Sequence, residues 1–113
     1  MFISQNMSEL KNEKIKEIIR EKAAEFFERE SSNVALITVT SVQLLEKGKK
    51  AVVYFTVYPN EKEPGALDFA KRKRSSFREF LKEETRLFQL PFVDFNIDLG
   101  EKNRQKIDEL SQI

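Results

Sequence analysis

The stretch from Val34 to Tyr58, VALITVTSVQLLEKGKKAVVYFTVY, decides the fold. In its first half Ile37, Thr38, Val39, Thr40 and Val42 supply the β-branched density of a strand, which we place over Val34 to Leu45. Ala51 to Tyr58 returns as a second strand, with Val53, Phe55 and Val57 on one face and Val52, Tyr54 and Thr56 on the other. Between them Glu46, Lys47, Gly48, Lys49 and Lys50 are polar and contain a glycine, the composition of a hairpin connection.

Working outward, Ile15, Ile18, Ile19, Ala23, Phe26 and Phe27 recur at three- and four-residue spacings and predict a helix from about Ser8 to Glu30. Ser31, Ser32 and Asn33, which prefer turns and caps, end it. Beyond the hairpin, the polar loop from Asn60 to Gly65 leads into helical spacing from Ala66 to about Phe88, with Ala70, Phe77, Leu81 and Phe88 along one face. Pro91 stops this helix and opens a third strand, Phe92 to Leu99. There Val93, Phe95, Ile97 and Leu99 alternate with Asp94, Asn96 and Asp98, so one face of the sheet is covered and the other is wet. A last short helix through Ile107 and Leu110 is expected in the tail. The order helix, strand, strand, helix, strand predicts an α+β sandwich of two layers, a three-stranded sheet with helices on one face.

Length and composition narrow the chemistry. A chain of 113 residues fits one domain over 1–113, with a core from about 8 to 99 and a tail over 100–113. Hydrophobic residues at 40%, including ten Phe, are too many for a disordered chain. Phe26, Phe27, Phe55, Phe77 and Phe95 are the residues expected to meet between helices and sheet. There is no Cys and no His, which excludes disulfides, thiolate or imidazole metal sites and Ser-His-Asp triads. Three glycines hardly supply the loops that carboxylate-bound Mg²⁺ or lysine chemistry usually needs. We therefore expect a binding protein without catalytic residues, cofactor, metal or small-molecule substrate. No apolar run approaches the roughly 20 residues that span a bilayer, and Met1 to Leu10 lacks a signal-peptide pattern, so a cytoplasmic protein is expected, and with no obvious exposed apolar stripe a monomer.

A formal net charge of +1 conceals a local imbalance. Between Lys71 and Arg86 seven basic residues (Lys71, Arg72, Lys73, Arg74, Arg78, Lys82, Arg86) stand against three acids (Glu79, Glu83, Glu84). On a helix of 100° per residue, Lys71, Arg74, Arg78 and Lys82 fall within about 80° of one another and form a ridge that no acid of the helix interrupts. A ridge of one sign forgoes exposed ion pairs and suits a phosphate backbone, although a solvated surface helix rich in Lys and Arg would give the same pattern. Ser75 and Ser76 sit mid-helix, where paired serines favour a kink; a break there would present backbone N–H groups beside Arg74 and Arg78 as a phosphate cradle. Asp94, Asn96 and Asp98 read as the polar face of a strand rather than as Mg²⁺ ligands. Tyr54 and Phe92 read as packing residues, with base stacking open to them if they are exposed.

Two strings add a resemblance. Ile37-Thr38-Val39-Thr40-Ser41-Val42 with Ala51-Val52-Val53-Tyr54-Phe55-Thr56-Val57, and Leu90-Pro91-Phe92-Val93-Asp94-Phe95-Asn96-Ile97-Asp98, resemble the ribosome-binding factor A family in order and spacing from about Lys14 to Ile107. The resemblance implies a type II KH-like domain in which a kinked helix bearing an Ala-x-Gly motif replaces the Gly-rich loop. That motif falls here at Arg74-Ser75-Ser76, without its small landmark residues. Lys47 stands where the family commonly has Asp, and the N-terminal helix is less basic. The family's role implies an assembly factor that binds the immature small (30S) ribosomal subunit and its 16S rRNA and assists rRNA maturation. Lys71, Arg72, Arg74, Ser75, Ser76, Arg78 and Lys82 would be its RNA-contacting residues. The alternative is a protein-interaction module whose ridge docks an acidic partner protein.

Overall fold

A computed structural model describes residues 7–31 and 34–111. Helix α1, Met7–Glu30, buries Ile19, Ala23, Phe26 and Phe27, the middle of the apolar stripe, with Ile15 and Ile18 half-buried at its start. Ser31 ends it, its hydroxyl donating to the Phe27 carbonyl at 2.5 Å. Ser32 and Asn33, the other expected stops, lie outside the described residues.

Strands β1, Leu36–Leu45, and β2, Lys50–Tyr58, form the antiparallel hairpin. Its turn is one residue tighter than expected, because Lys50 pairs with Leu45. Glu46, Lys47 and Gly48 all take positive φ, at 53°, 56° and 85°, and only the glycine does so without steric cost. Thr40 is an extra residue: Val39 faces Phe55 while Ser41 faces Tyr54. This bulge explains the spacing of the apolar residues along β1. It shifts the side-chain phase once, so that Ile37 and Val39 before it and Val42 and Leu44 after it all pack on the core.

The segment expected as one helix is two. Helix α2, Glu63–Arg72, and helix α3, Arg74–Glu84, are separated at Lys73, whose φ of −96° and ψ of 9° leave the helical region. The break therefore falls ahead of Ser75 and Ser76, which occupy the first turn of α3, where serine is better tolerated than in a helix interior. Ala66, Ala70, Phe77 and Leu81 are buried across the two helices. The second helix also stops earlier than expected. Thr85 is extended and its hydroxyl donates to the Leu81 carbonyl at 2.7 Å, which leaves Phe88 beyond the helix and 97% exposed.

Strand β3, Phe92–Ile97, runs parallel to β2 from Lys50↔Phe92 to Phe55↔Ile97, giving a mixed sheet of order β1-β2-β3. Val93, Phe95 and Ile97 point into the core as the alternation requires, but Leu99 does not extend the row. Asp98 caps a new helix instead, accepting from the Glu101 N–H at 3.0 Å, so α4 spans Leu99–Ser111 and Leu99 is 64% exposed. Ile107 is also 64% exposed, and the side chain of Leu110, the other expected anchor, lies outside the described residues. The face away from α1 to α3 is drier than the alternation implies. β2 is flanked on both sides, and Val52 and Thr56 are 9% and 7% exposed there.

The five phenylalanines expected to meet do so. Phe95 is 5.1 Å from Phe27, 5.5 Å from Phe77 and 6.5 Å from Phe55, and Phe26 joins Phe77 at 5.3 Å, ring centre to ring centre. Among the described residues no helix is long and apolar enough to cross a membrane.

Candidate nucleic-acid interface

The break at Lys73 turns the ridge around a corner. Lys71 and Arg72 close α2, while Arg74, Ser75, Ser76, Arg78 and Lys82 lie on α3. Between α3 and the entrance to β3 runs an open groove of about 600 Å³. It gathers Arg74, Ser75, Arg78 and Lys82, and adds Lys50 from the start of β2, Glu79, and Leu90, Phe92, Val93 and Asp94 from the third strand and its approach. Lys71 and Ser76 do not line it. Nor does Arg72, which pairs with Asp68 at 3.0 Å on the exposed side of α2.

The ridge is less free than the helix alone implies. Although no acid of α2 or α3 lies on its line, Asp94 of β3 does: its carboxylate takes Lys71 Nζ at 2.8 Å and Arg74 Nη1 at 3.2 Å. Burial alone would raise the Asp94 carboxyl. The Lys71 hydrogen bond, the Phe95 N–H and the two nearby cations outweigh that and hold it below the ordinary carboxylate range. Arg74 is oriented further by donating Nε to the Lys71 carbonyl at 2.9 Å, across the helix break.

Arg78 is committed differently. It donates Nε to the Pro91 carbonyl at 3.1 Å and Nη2 to the Leu90 carbonyl at 3.2 Å, and its guanidinium lies 4.5 Å from the centre of the Phe92 ring. It ties α3 to the entry of β3 and holds an aromatic ring, itself 68% exposed, at the groove's edge. Because two carbonyls lose a charged donor, Arg78→Ala is expected to lower stability by about 1–2 kcal/mol in urea unfolding. Arg78→Lys should recover only part of that, since an ammonium cannot reproduce the planar fork.

Lys50 and Lys82 make no ion pair with another described residue, and they are the groove's uncommitted cations. Lys50 and Asp94 could not be read as site residues from the sequence, because both reach the groove only through the parallel pairing of β3 with β2. Phe92 is exposed on the groove rather than packed. Tyr54 is half-buried, with its hydroxyl donating to Gln43 at 3.0 Å. The other two residues of the expected polar row have other work: Asp98 caps α4 and accepts from the Thr40 hydroxyl at 2.5 Å, and the Asn96 carboxamide oxygen accepts from the Ile97 N–H at 3.0 Å.

Comparison with known proteins supplies the family context. The family model for ribosome-binding factor A matches residues 11–111. The crystal structure of ribosome-binding factor A from Thermus thermophilus superposes with a TM-score of 0.67 at 23% identity, covering 75% of this chain and 92% of that one. The solution structure of a Thermotoga maritima candidate for the same factor gives 0.61 at 21% identity, covering 74% and 83%. A homology model of the Thermus thermophilus factor, fitted into an electron-microscopy map of its complex with the 30S subunit, gives 0.61 at 25% identity, covering 70% and 86%. No curated protein sequence matches.

Proposed function

The chain belongs to the ribosome-binding factor A family, with its KH-like fold, and on that premise we propose that it binds the small ribosomal subunit as an assembly factor. The observation that carries this reading is the groove between α3 and β3. Four cations outnumber two carboxylates there, and two of the cations, Lys50 and Lys82, have no ion pair with another described residue to give up. Phosphates of 16S rRNA would engage Lys50 and Lys82 first, then Lys71 and Arg74 in exchange for Asp94. Arg78 would keep the groove's shape, and the N–H groups of Arg74, Ser75 and Ser76 in the first turn of α3 would supply further phosphate donors. Arg72, on the outer side of α2, would contribute only by giving up Asp68. Such contacts position a protein on RNA without reading bases, so selectivity comes from RNA shape. The maturing rRNA is held rather than cleaved.

The test is co-sedimentation with cell extract on a gradient that separates free small subunits from mature ribosomes. Enrichment on free small subunits is expected, together with loss at raised salt. Lys50→Glu and Lys82→Glu should each weaken binding to small subunits and lower the slope of log affinity against log salt by nearly one for each phosphate lost. An association that survives RNase digestion, or an unchanged slope in the Lys50→Glu/Lys82→Glu double variant, would replace this reading with the acidic-protein partner.

A further inference from the structure

A second groove, of about 730 Å³, lies on the other face of the sheet, between the end of the hairpin and α4. The pairs Leu36↔Tyr58 and Thr38↔Thr56 turn away from α1 to α3, because their neighbours Ile37 and Val57 pack on the core. They form its floor. Helix α4 supplies the wall with Lys102, Asn103, Gln105 and Lys106, and Asn60 closes one end. Among the contacts that hold α4 there are the Asp98 cap and Lys102 Nζ paired with Glu63 at 3.0 Å.

Its lining differs from that of the groove beside α3. Among the described residues no carboxylate lines this groove, Glu63 reaching it only as the partner of Lys102, whereas the groove beside α3 contains two. Tyr58 offers a ring 68% exposed, three carboxamides flank it, and Lys106 makes no ion pair with another described residue. The volume lies within the roughly 300–1,000 Å³ of small-ligand sites. Among the described residues a cation finds no carboxylate on this lining. An unpaired nucleotide uses every feature: its base stacks on Tyr58, its edge meets Asn60, Asn103 or Gln105, and its phosphate meets Lys106.

We propose that the Tyr58–α4 groove binds an unpaired nucleotide of an RNA strand, a contact separate from the α3 groove. The inference shares with the proposed function the premise of an RNA partner, but it stands on different residues. The test follows the Tyr58 ring resonances by NMR during titration with a short oligouridylate and, separately, with uridine 5′-monophosphate. A saturable shift with the oligomer is expected. Lys106→Ala, at an exposed helical position that should not disturb folding, should weaken it about 5- to 50-fold, and Tyr58→Leu should lose affinity over a similar range. Lys50→Glu and Lys82→Glu should leave the Tyr58 shift in place. Shifts at Phe92 with Tyr58 silent would overturn this site and leave the proposed function intact, whereas silence at both rings would count against both. Equal affinity for the mononucleotide would overturn the assignment to an RNA strand.

Discussion

Phe95→Ala is expected to cost about 3–5 kcal/mol of folding stability, read as a fall in the urea midpoint at unchanged slope. Phe95 is fully buried on β3, and its ring meets those of Phe27 on α1, Phe55 on β2 and Phe77 on α3. One truncation thus removes contact between the sheet and two of the three helices that cover it. The lost transfer free energy is joined by a cavity that three large neighbours cannot jointly fill, and edge-to-face ring pairs add about 0.5–1.5 kcal/mol each. Domains of this kind are stable by only about 5–15 kcal/mol, so the variant should be close to unfolding at 37 °C. The control is Phe88→Ala, at a site 97% exposed, which should stay within about 0.5 kcal/mol of wild type. Equal midpoints for the two variants would mean that the ring cluster does not carry the core.

That these five phenylalanines could be named from sequence follows from local periodicity. A residue's position on its own helix or strand decides which way it points, and Phe26, Phe27, Phe55, Phe77 and Phe95 each sit on an unbroken stretch of their element. Where a period is interrupted the same reasoning fails. Phe88 continues the helical wheel of Phe77 and Leu81 on paper, but Thr85 has already turned the chain out of the helix. Leu99 continues the strand alternation, but Asp98 finds better partners as a helix cap. The bulge at Thr40 is the opposite case. The apolar positions 37, 39, 42 and 44 break strict alternation, and that irregularity is the trace of the extra residue. The family resemblance implied a kinked helix with its motif at Arg74-Ser75-Ser76, and the break lies at Lys73, one residue ahead of it. For the site, the cations of one helix were legible because a helix face is local. What surrounds them was not: Lys50, Phe92 and Asp94 arrive from strands whose adjacency depends on the parallel crossover, and a charge read on one element says nothing of its neutraliser on another.

Asp94→Asn is therefore expected to strengthen binding to small-subunit RNA by about tenfold and to steepen its salt dependence by about 0.7–0.9 for each of the two cations released. In the free protein the Asp94 carboxylate sits where a phosphate oxygen would, 2.8 Å from Lys71 and 3.2 Å from Arg74. RNA must displace it before either cation contributes counterion release. Asparagine keeps an oxygen for the Phe95 N–H, which donates to the present carboxylate at 2.9 Å, so the strand should be undisturbed. With the acid and both cations partly exposed, loss of the pairs should cost under about 1 kcal/mol in unfolding, well below the loss for Phe95→Ala. The pH dependence separates competition from positioning. Because the folded carboxyl lies below the ordinary range, its stabilising contribution is present above the unfolded value near pH 4 and is lost as pH falls through the lower folded value. Asp94 is thus charged throughout the neutral and mildly acidic range, and the affinity gain of Asp94→Asn should be constant from about pH 5 to 8, in a chain with no histidine to confuse the readout. Filter binding at several salt concentrations decides the matter. Tighter binding with a steeper slope identifies Asp94 as a competitor for the RNA phosphates, whereas weaker binding at the same slope would mean that it aims Lys71 and Arg74 toward them.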